Sequence, residues 1–190
     1  MKIKTIKFLK SSTTADNSFN LKEIAIVGRS NVGKSSLINY LTNSKIAKAS
    51  SSPGRTRLIN YFSVNNDQFL FVDLPGYGYN EAGKANSEAW GKMMDDYFKN
   101  SQNLVNCLLL LDIRHKPNDK DLQMINYLVY YNIPFTIVAT KADKLSKAEQ
   151  GKNRQMLATY TKQGISNIYV VSSLNRTGGE ELLLRIEQFI

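Results

Sequence analysis

With 190 residues, the chain is long enough to bury a hydrophobic core and is most simply a single domain. Its content of 42% hydrophobic and 22% charged residues is typical of a globular protein, and its single cysteine excludes an intrachain disulfide framework and a cysteine-based zinc cluster. The formal net charge of +9 indicates either attraction to a polyanion, such as RNA or an anionic membrane surface, or a dispersed basic surface.

The N-terminal sequence MKIKTIKFLK has scattered lysines and lacks the apolar stretch of a secretory signal. No run in the chain approaches the ~18 apolar residues that a membrane span needs. We therefore expect a basic N-terminal extension over 1–21 and one domain over 22–190, in the cytoplasm. The stretch KSSTTADNSFNLK predicts a loop or an edge segment.

The next elements alternate between apolar runs and polar loops. Glu23–Gly28 (EIAIVG) is an apolar run typical of a buried parallel strand, and KSSLINYLT begins a helix after a glycine-rich loop. The segment Ile46–Arg57 is dense in Ser, Gly and Pro, which predicts a mobile connection. Two strands joined by a turn at Asn65–Asp67 follow, and a helix containing SEAWGKMMDDYF comes after a second loop.

The rest of the chain alternates strand and helix. LVNCLLLLDI, PFTIVATKAD and SNIYVVSS predict strands, and Cys107 in the first of them is expected to be a core residue. The helix after Asn118 places Leu122, Ile125 and either Leu128 or Val129 on one face. This order predicts an α/β fold with a mostly parallel sheet and helices on both faces, whose ligands bind beyond the carboxyl ends of the strands.

A phosphate-binding pattern, G-x-x-x-x-G-K-[ST], spans Gly28 to Ser35 between a strand and a helix, as its mechanism requires. Lys34 would place its ammonium against the β- and γ-phosphates, and the Ser35 hydroxyl is a hard ligand suited to Mg²⁺. Asn31 has two open interpretations: it tolerates a tight turn, or its side-chain carbonyl holds a monovalent cation such as K⁺.

Three further residues are expected to sense the terminal phosphate. Thr56 would complete the Mg²⁺ shell, Asp73 at a strand end would hold Mg²⁺ directly or through water, and Gly76 would offer its N–H to the γ-phosphate. Loss of that phosphate would release both loops, an order–disorder switch. Tyr77 stands where Ras-like enzymes carry a water-orienting Gln, which predicts slow unaided hydrolysis.

The segment Thr140–Asp143 (TKAD) follows a strand and fits the [NT]-K-x-D pattern of guanine-binding proteins. The Asp143 carboxylate can accept both N1–H and N2–H₂ of guanine, whereas adenine would leave it unpaired. The Lys141 stem can lie over the base, and Val171–Leu174 (VSSL) can give a backbone N–H to guanine O6.

The predicted nucleotide contacts come from five loop segments. They are Gly28, Arg29, Ser30, Asn31, Val32, Gly33, Lys34, Ser35 and Ser36; Gly54, Arg55, Thr56, Arg57 and Leu58; Asp73, Leu74, Pro75 and Gly76; and Thr140, Lys141, Ala142, Asp143, Val171, Ser172 and Ser173. Catalytic contributions are predicted for Lys34, Thr56 and Gly76, and magnesium ligation for Ser35, Thr56 and Asp73.

Two stretches outside these motifs resemble the EngB (YihA/YsxC) family of bacterial ribosome-assembly GTPases. One is DLPGYGYNEAGK at Asp73–Lys84 followed by WGKMM at Trp90–Met94, and the other is LLLLDIRHKPNDKD at Leu108–Asp121. The similarity covers nearly the whole chain from about Lys22. It includes Arg114 and His115 of DIRHKP, and a lone His at a strand end is more often a structural residue hydrogen-bonded to a loop.

This resemblance implies a Ras-like P-loop NTPase fold with a mostly parallel six-stranded sheet, one antiparallel strand and helices on both faces. It also implies GTP hydrolysis with Mg²⁺, a role in maturing the large ribosomal subunit through its rRNA and proteins, and a link to septation and cell division. We expect a monomer that binds no DNA. In place of the missing glutamine, a group supplied in trans or a K⁺ ion held by Asn31 is expected to assist hydrolysis.

Two other functions use the same phosphate loop: a P-loop kinase or ATPase acting on a small substrate, and a non-hydrolysing scaffold that binds nucleotide for folding or assembly. The kinase has no use for TKAD. A membrane-associated division protein is a further alternative, although the basic N-terminus is too short and too weakly amphipathic to anchor alone.

Overall fold

The computed structural model describes residues 1–47, 58–78 and 83–190. The elements in chain order are β1 (Ile6–Ser12), β2 (Glu23–Gly28), α1 (Lys34–Leu41), β3 (Ile59–Val64), β4 (Phe69–Asp73), α2 (Gly83–Asn100), β5 (Leu104–Asp112), α3 (Asp119–Tyr130), β6 (Phe135–Thr140), α4 (Lys147–Thr161), β7 (Ile168–Val170) and α5 (Gly179–Glu187).

The described strands form one seven-stranded sheet in the order β1-β3-β4-β2-β5-β6-β7. Strand β3 runs antiparallel to both of its neighbours, and the other neighbouring pairs are parallel. The predicted α/β class with one antiparallel strand is therefore confirmed, but the predicted number of six strands is wrong.

The additional strand is β1, which lies within the segment expected to be an N-terminal extension. A bulge between Phe8 and Lys10 interrupts its pairing with β3, so its side chains do not follow the period of two that identifies a strand in a sequence. Lys7 and Lys10 are exposed on this edge strand, where lysines hinder pairing with other chains. The division of the chain into 1–21 and 22–190 stays a prediction.

The sheet buries a hydrophobic cluster on each face. In β2, Ile24 and Ile26 pack in the cluster that contains α1 and α5, whereas Ala25 and Val27 pack in the cluster that contains α2, α3 and α4. Cys107 on β5 is fully buried, as predicted. Because these central strands are covered on both faces, they are apolar along their whole length.

Helix α3 shows which of two candidate residues, Leu128 or Val129, lies on its buried face. Leu128 is 0% exposed and Val129 is 56% exposed, so Leu128 joins Ile125 in the core. In the part of the chain that is described, no helix combines the length and apolar character needed to cross a bilayer.

Four polar or glycine residues end neighbouring strands at one edge of the sheet. They are Gly28 of β2, Asp73 of β4, Asp112 of β5 and Thr140 of β6. Since ligands of such sheets bind beyond the carboxyl ends of the strands, this edge is the candidate site.

Candidate functional site

The loop from Gly28 to Lys34 has the backbone conformation of a phosphate-binding turn. Asn31 and Gly33 have positive φ angles of 62° and 110°, which bend the chain between β2 and the start of α1. A Cβ on Gly28 would lie 2.8 Å from Val32 Cγ1 and 3.0 Å from Leu110 Cβ, so only glycine lets the loop lie this close to β5. The left-handed backbone accounts for Asn31 as a turn residue, and the potassium interpretation stays a prediction.

The side chain of Lys34, at the end of this loop, lies near the carboxylate of Asp73. The Lys34 Nζ lies 3.8 Å from the Asp73 Oδ1, and the Asp73 carboxylate is buried. Among the described residues, that Oδ1 has no hydrogen-bond partner. Burial raises the pKa of Asp73 above its usual value, and Lys34 only partly opposes this. A buried carboxylate oxygen with one distant cation is suited to accept a further positive ligand.

Asp73→Asn is therefore expected to leave the nucleotide-free protein at least as stable as the parent, because the substitution removes a poorly compensated buried charge. We expect the melting temperature to rise by about 2–4 °C if the gain is ~1 kcal/mol. The same change should abolish the additional thermal stabilisation that Mg²⁺ gives to the GTP-bound protein, measured against EDTA.

The matched control is Asp112→Asn, because Asp112 also ends a central strand but is ion-paired with Arg114 and Lys141. That variant is expected to lose stability. If Asp73→Asn destabilised the nucleotide-free protein as much as Asp112→Asn does, the carboxylate of Asp73 would be well satisfied without a cation.

The segment after β4 lies directly on the phosphate loop. The Ser30 N–H donates to the Tyr77 carbonyl at 2.9 Å, and the Tyr77 N–H donates to the Gly28 carbonyl at 3.3 Å. A Cβ on Gly76 would lie 3.2 Å from the Gly28 oxygen and 3.3 Å from the Ser30 nitrogen. A residue with a side chain at position 76 would push this segment away from the loop. Leu74, by contrast, is buried and continues the pairing of β4 with β2 through its N–H to Ile26.

The side chain of Thr140, the first residue of TKAD, is hydrogen-bonded to backbone carbonyls in the protein interior. Its hydroxyl lies 2.7 Å from the Val32 carbonyl and 3.2 Å from the Leu111 carbonyl, and it is buried. Through these bonds Thr140, the last residue of β6, connects the phosphate loop with β5, and its predicted contact with nucleotide stays a prediction. The phosphate loop and the start of TKAD are therefore joined by a direct hydrogen bond.

The Asp143 carboxylate is held in place by a residue of the segment that follows β7. The Ser172 hydroxyl donates to the Asp143 Oδ1 at 2.8 Å, and the Lys144 Nζ lies 3.6 Å from the Oδ2. The hydrogen bond from Ser172, with Lys144 nearby, holds the pKa of Asp143 below its usual value. The backbone N–H and carbonyl of Ser172 are both hydrogen-bonded to Thr177 at 3.0 Å, which restrains the backbone that carries this hydroxyl.

Asp112 is a site residue that the sequence analysis missed. The Lys141 Nζ lies 3.0 Å from the Asp112 Oδ2, and Arg114 donates to both oxygens at 2.9 and 2.8 Å. Burial favours protonation of Asp112, but these two cations outweigh it and hold the pKa well below its usual range. Asp112 therefore fixes the direction of the Lys141 side chain, whose backbone has a positive φ of 63°.

A signal for Asp112 was present, since it ends a strand just as Asp73 does. Arg114 thus has a structural role that the sequence did not suggest. His115 is exposed, and its backbone N–H donates to the Asp112 carbonyl at 3.2 Å.

Of the other predicted nucleotide contacts, Leu58 is 38% exposed just before β3. Gly54, Arg55, Thr56 and Arg57 lie outside the described residues.

The chain matches a family model described as a 50S ribosome-binding GTPase over residues 23–141, which takes in the phosphate loop, Asp73 and the first half of TKAD. It is also 47% identical over 194 residues to the probable GTP-binding protein EngB of Clostridium kluyveri, an alignment that covers 100% of this chain and 98% of that protein. The chain belongs to the EngB family. A second EngB-family relative, from Mycoplasma mycoides, is 45% identical over 92% of this chain and 91% of its own length.

Solved structures show the same fold. A crystal structure of a probable GTP-binding protein EngB superposes with a TM-score of 0.69 at 24% identity, covering 88% of this chain and 97% of the other. Era in complex with MgGDPNP and nucleotides of 16S ribosomal RNA has a TM-score of 0.64 at 23% identity, covering 88% of this chain and 56% of Era. As an EngB-family member with a GTPase domain, this protein binds and hydrolyses GTP.

Proposed function

We propose that this EngB-family GTPase is a molecular switch in the assembly of the large (50S) ribosomal subunit. It binds the subunit or its precursor in the triphosphate state and leaves after hydrolysis. The description of the matching family supports a 50S partner, and the net charge of +9 suits contact with rRNA phosphates.

One observation carries the switch: the backbone of Gly76 and Tyr77 lies against Gly28 and Ser30 of the phosphate loop. A γ-phosphate held in that loop would meet the N–H of Gly76, whereas a diphosphate would end short of it. In chain order the next element is α2, which packs on one face of the sheet. The presence of the terminal phosphate would therefore be transmitted to a surface that a partner can contact.

In this proposal, guanine is recognised by Asp143, and Lys141 lies along the base. The backbone N–H groups of Val171 and Ser172 already donate to the carbonyls of Ala139 and Thr177. Within the predicted Val171–Leu174, we therefore propose Ser173 or Leu174 as the N–H donor to guanine O6. The remaining predicted loop residues, from Arg29 to Ser36 and from Gly54 to Leu58, would surround the phosphates and ribose.

Mg²⁺ is proposed to be held by Ser35, Thr56 and Asp73. The buried Asp73 Oδ1, which has no hydrogen-bond partner among the described residues, fits a hard cation directly or through water, and Ser35 lies in the first turn of α1. Such an ion would neutralise charge on the β- and γ-phosphates. Potassium held by Asn31 is part of the same proposal.

The remaining features of the proposal rest on the family resemblance. They are slow intrinsic hydrolysis stimulated by a ribosomal partner or K⁺, a monomeric protein in the cytoplasm, and a role in cell division and septation. The buried position of Tyr77 supports slow unaided turnover, because its phenol is hydrogen-bonded to Asp121 and so is not available to orient water.

The test is equilibrium binding to large-subunit precursor particles in the presence of GDP or of a non-hydrolysable GTP analogue. We expect affinity to be about tenfold higher with the analogue, within the usual range of coupling between two sites. Binding should also weaken steeply with added salt if rRNA phosphates are contacted. Phosphate release from GTP should increase when the particles are added.

Small-subunit particles and an ATP analogue serve as controls, and neither should change the result. Equal affinity with GDP and the GTP analogue would contradict the switch. Turnover of ATP at the rate of GTP would favour the kinase or ATPase alternative, and binding without any hydrolysis would favour a scaffold.

A further inference from the structure

Tyr77 occupies the position of a water-orienting glutamine, yet its side chain points into the protein. The residue is 5% exposed, and its ring packs edge-to-face on Trp90 with 6.4 Å between centroids. The phenol donates a hydrogen bond of 2.8 Å to the Asp121 Oδ1 on α3. Burial beside Asp121 raises the pKa of Tyr77, so the phenol remains a neutral donor.

Asp121 is itself fixed by the start of α3. Its Oδ2 accepts from the Asn118 N–H at 3.0 Å, and its own N–H donates to the Asn118 Oδ1 at 2.9 Å, which forms a capping box. One carboxylate oxygen therefore caps the helix and the other holds Tyr77. Because the cap restrains the carboxylate, the phenol is bound to a rigid element.

The backbone of the same residue contacts the phosphate loop, as described above, so Tyr77 joins the loop to α3. A second side chain holds the segment on the other side of Gly76: the Trp90 Nε1–H of α2 donates to the Pro75 carbonyl at 3.0 Å. Gly76 thus lies between two residues, each of which is hydrogen-bonded to a different helix.

We propose that Tyr77 is a positioning residue: its hydrogen bond to Asp121, together with that from Trp90 to Pro75, holds the Gly76 N–H where a γ-phosphate is recognised. This rests on the proposed role of Gly76 in the switch. With both side-chain bonds in place, Pro75, Gly76 and Tyr77 are held before GTP binds, so GTP binding does not carry the entropic cost of ordering these three residues. The order–disorder change predicted from the sequence would then not include them. GDP gains nothing from this order because it has no phosphate to reach Gly76.

Tyr77→Phe keeps the ring and removes the hydroxyl. We expect affinity for a non-hydrolysable GTP analogue to fall by about five- to tenfold, while affinity for GDP stays within about twofold. The single-turnover hydrolysis rate at saturating GTP should fall as well. Trp90→Phe should change the ratio of the two affinities in the same direction, because it removes the second hydrogen bond and keeps an aromatic ring.

Tyr127→Phe is the matched control. The Tyr127 hydroxyl also donates to an aspartate, the Asp95 Oδ1 at 2.6 Å, and also joins α3 to α2, but it lies away from the phosphate loop. Both tyrosine variants are expected to lower the melting temperature, whereas only Tyr77→Phe should change the ratio of GTP to GDP affinity. A purely structural role would change stability and leave that ratio as in the parent.

Gly76→Ala separates this inference from the proposed switch. If Gly76→Ala lowers the affinity for the GTP analogue but Tyr77→Phe and Trp90→Phe do not, the positioning role is wrong and the switch stands. If Gly76→Ala leaves the ratio unchanged, Gly76 does not recognise the γ-phosphate and the switch itself fails. An increase in GTP-analogue affinity in Tyr77→Phe would show that the bound segment opposes the triphosphate state, and would overturn the inference.

Discussion

Asp143→Asn is expected to convert a GTP-preferring protein into one that prefers xanthosine triphosphate. The affinity for GTP should fall by about 100-fold or more, which corresponds to ~2.7 kcal/mol, because the two guanine donors lose a charged acceptor. Xanthine carries a carbonyl where guanine carries its amino group, and the new amide can donate to it. Competition between guanine and xanthine nucleotides for a fluorescent nucleotide measures the change.

The structure explains why this substitution should preserve the shape of the site. The Ser172 hydroxyl donates to the Asp143 Oδ1, and an asparagine carbonyl at the same place would accept that bond. The new NH₂ group would then replace the Oδ2, which faces the exposed Lys144 side chain. Recovery of hydrolysis with xanthosine triphosphate is the internal control, and an unchanged preference for GTP would refute the assignment of Asp143.

Lys34→Ala is expected to reduce the rate of GTP hydrolysis by on the order of 10²–10³-fold, the usual cost of removing a preorganised group that stabilises transition-state charge. The Lys34 side chain is 13% exposed and lies against Asp73, so its ammonium is held at the loop before nucleotide arrives. Affinity should fall more for GTP than for GDP, because the γ-phosphate is lost as a partner. Single-turnover phosphate release with saturating GTP and Mg²⁺ measures the effect.

Lys99→Ala provides the matched control for this loss of charge. Lys99 pairs with Asp95 four residues earlier on α2 and is exposed, so its removal should leave hydrolysis unchanged. Lys34→Arg keeps the charge but places a larger planar group in a confined loop, and it is also expected to be slow. A Lys34→Ala variant that folds and hydrolyses GTP within about threefold of the parent would remove Lys34 from the proposed catalytic residues.

The absence of glutamine after Gly76 has a structural counterpart. The sequence predicts only that Tyr77 is a poor group for orienting water, and leaves open what the phenol does. In the structure the hydroxyl is bonded to Asp121, which lies 44 positions later in the chain. The phenol is therefore not available to orient water, which agrees with the proposal that a group from elsewhere activates hydrolysis.

The sequence alone determined the α/β class, the phosphate loop, the TKAD segment and most strands and helices. These features are local: a strand shows itself by its apolar run, and a phosphate loop by glycines at a fixed spacing between a strand and a helix. Strand β1 escaped prediction because its bulge disturbs the local period of two.

Only the tertiary structure decided which side chains hold the site together. The Thr140 hydroxyl on the Val32 carbonyl spans 108 positions, and the pair of Lys141 with Asp112 forms because β5 and β6 are neighbours in register. Spacing along one chain carries no information about such pairs. They depend on the order of strands in the sheet and on the helices that cover it, so the residue types are present in the sequence but their partners follow from the fold.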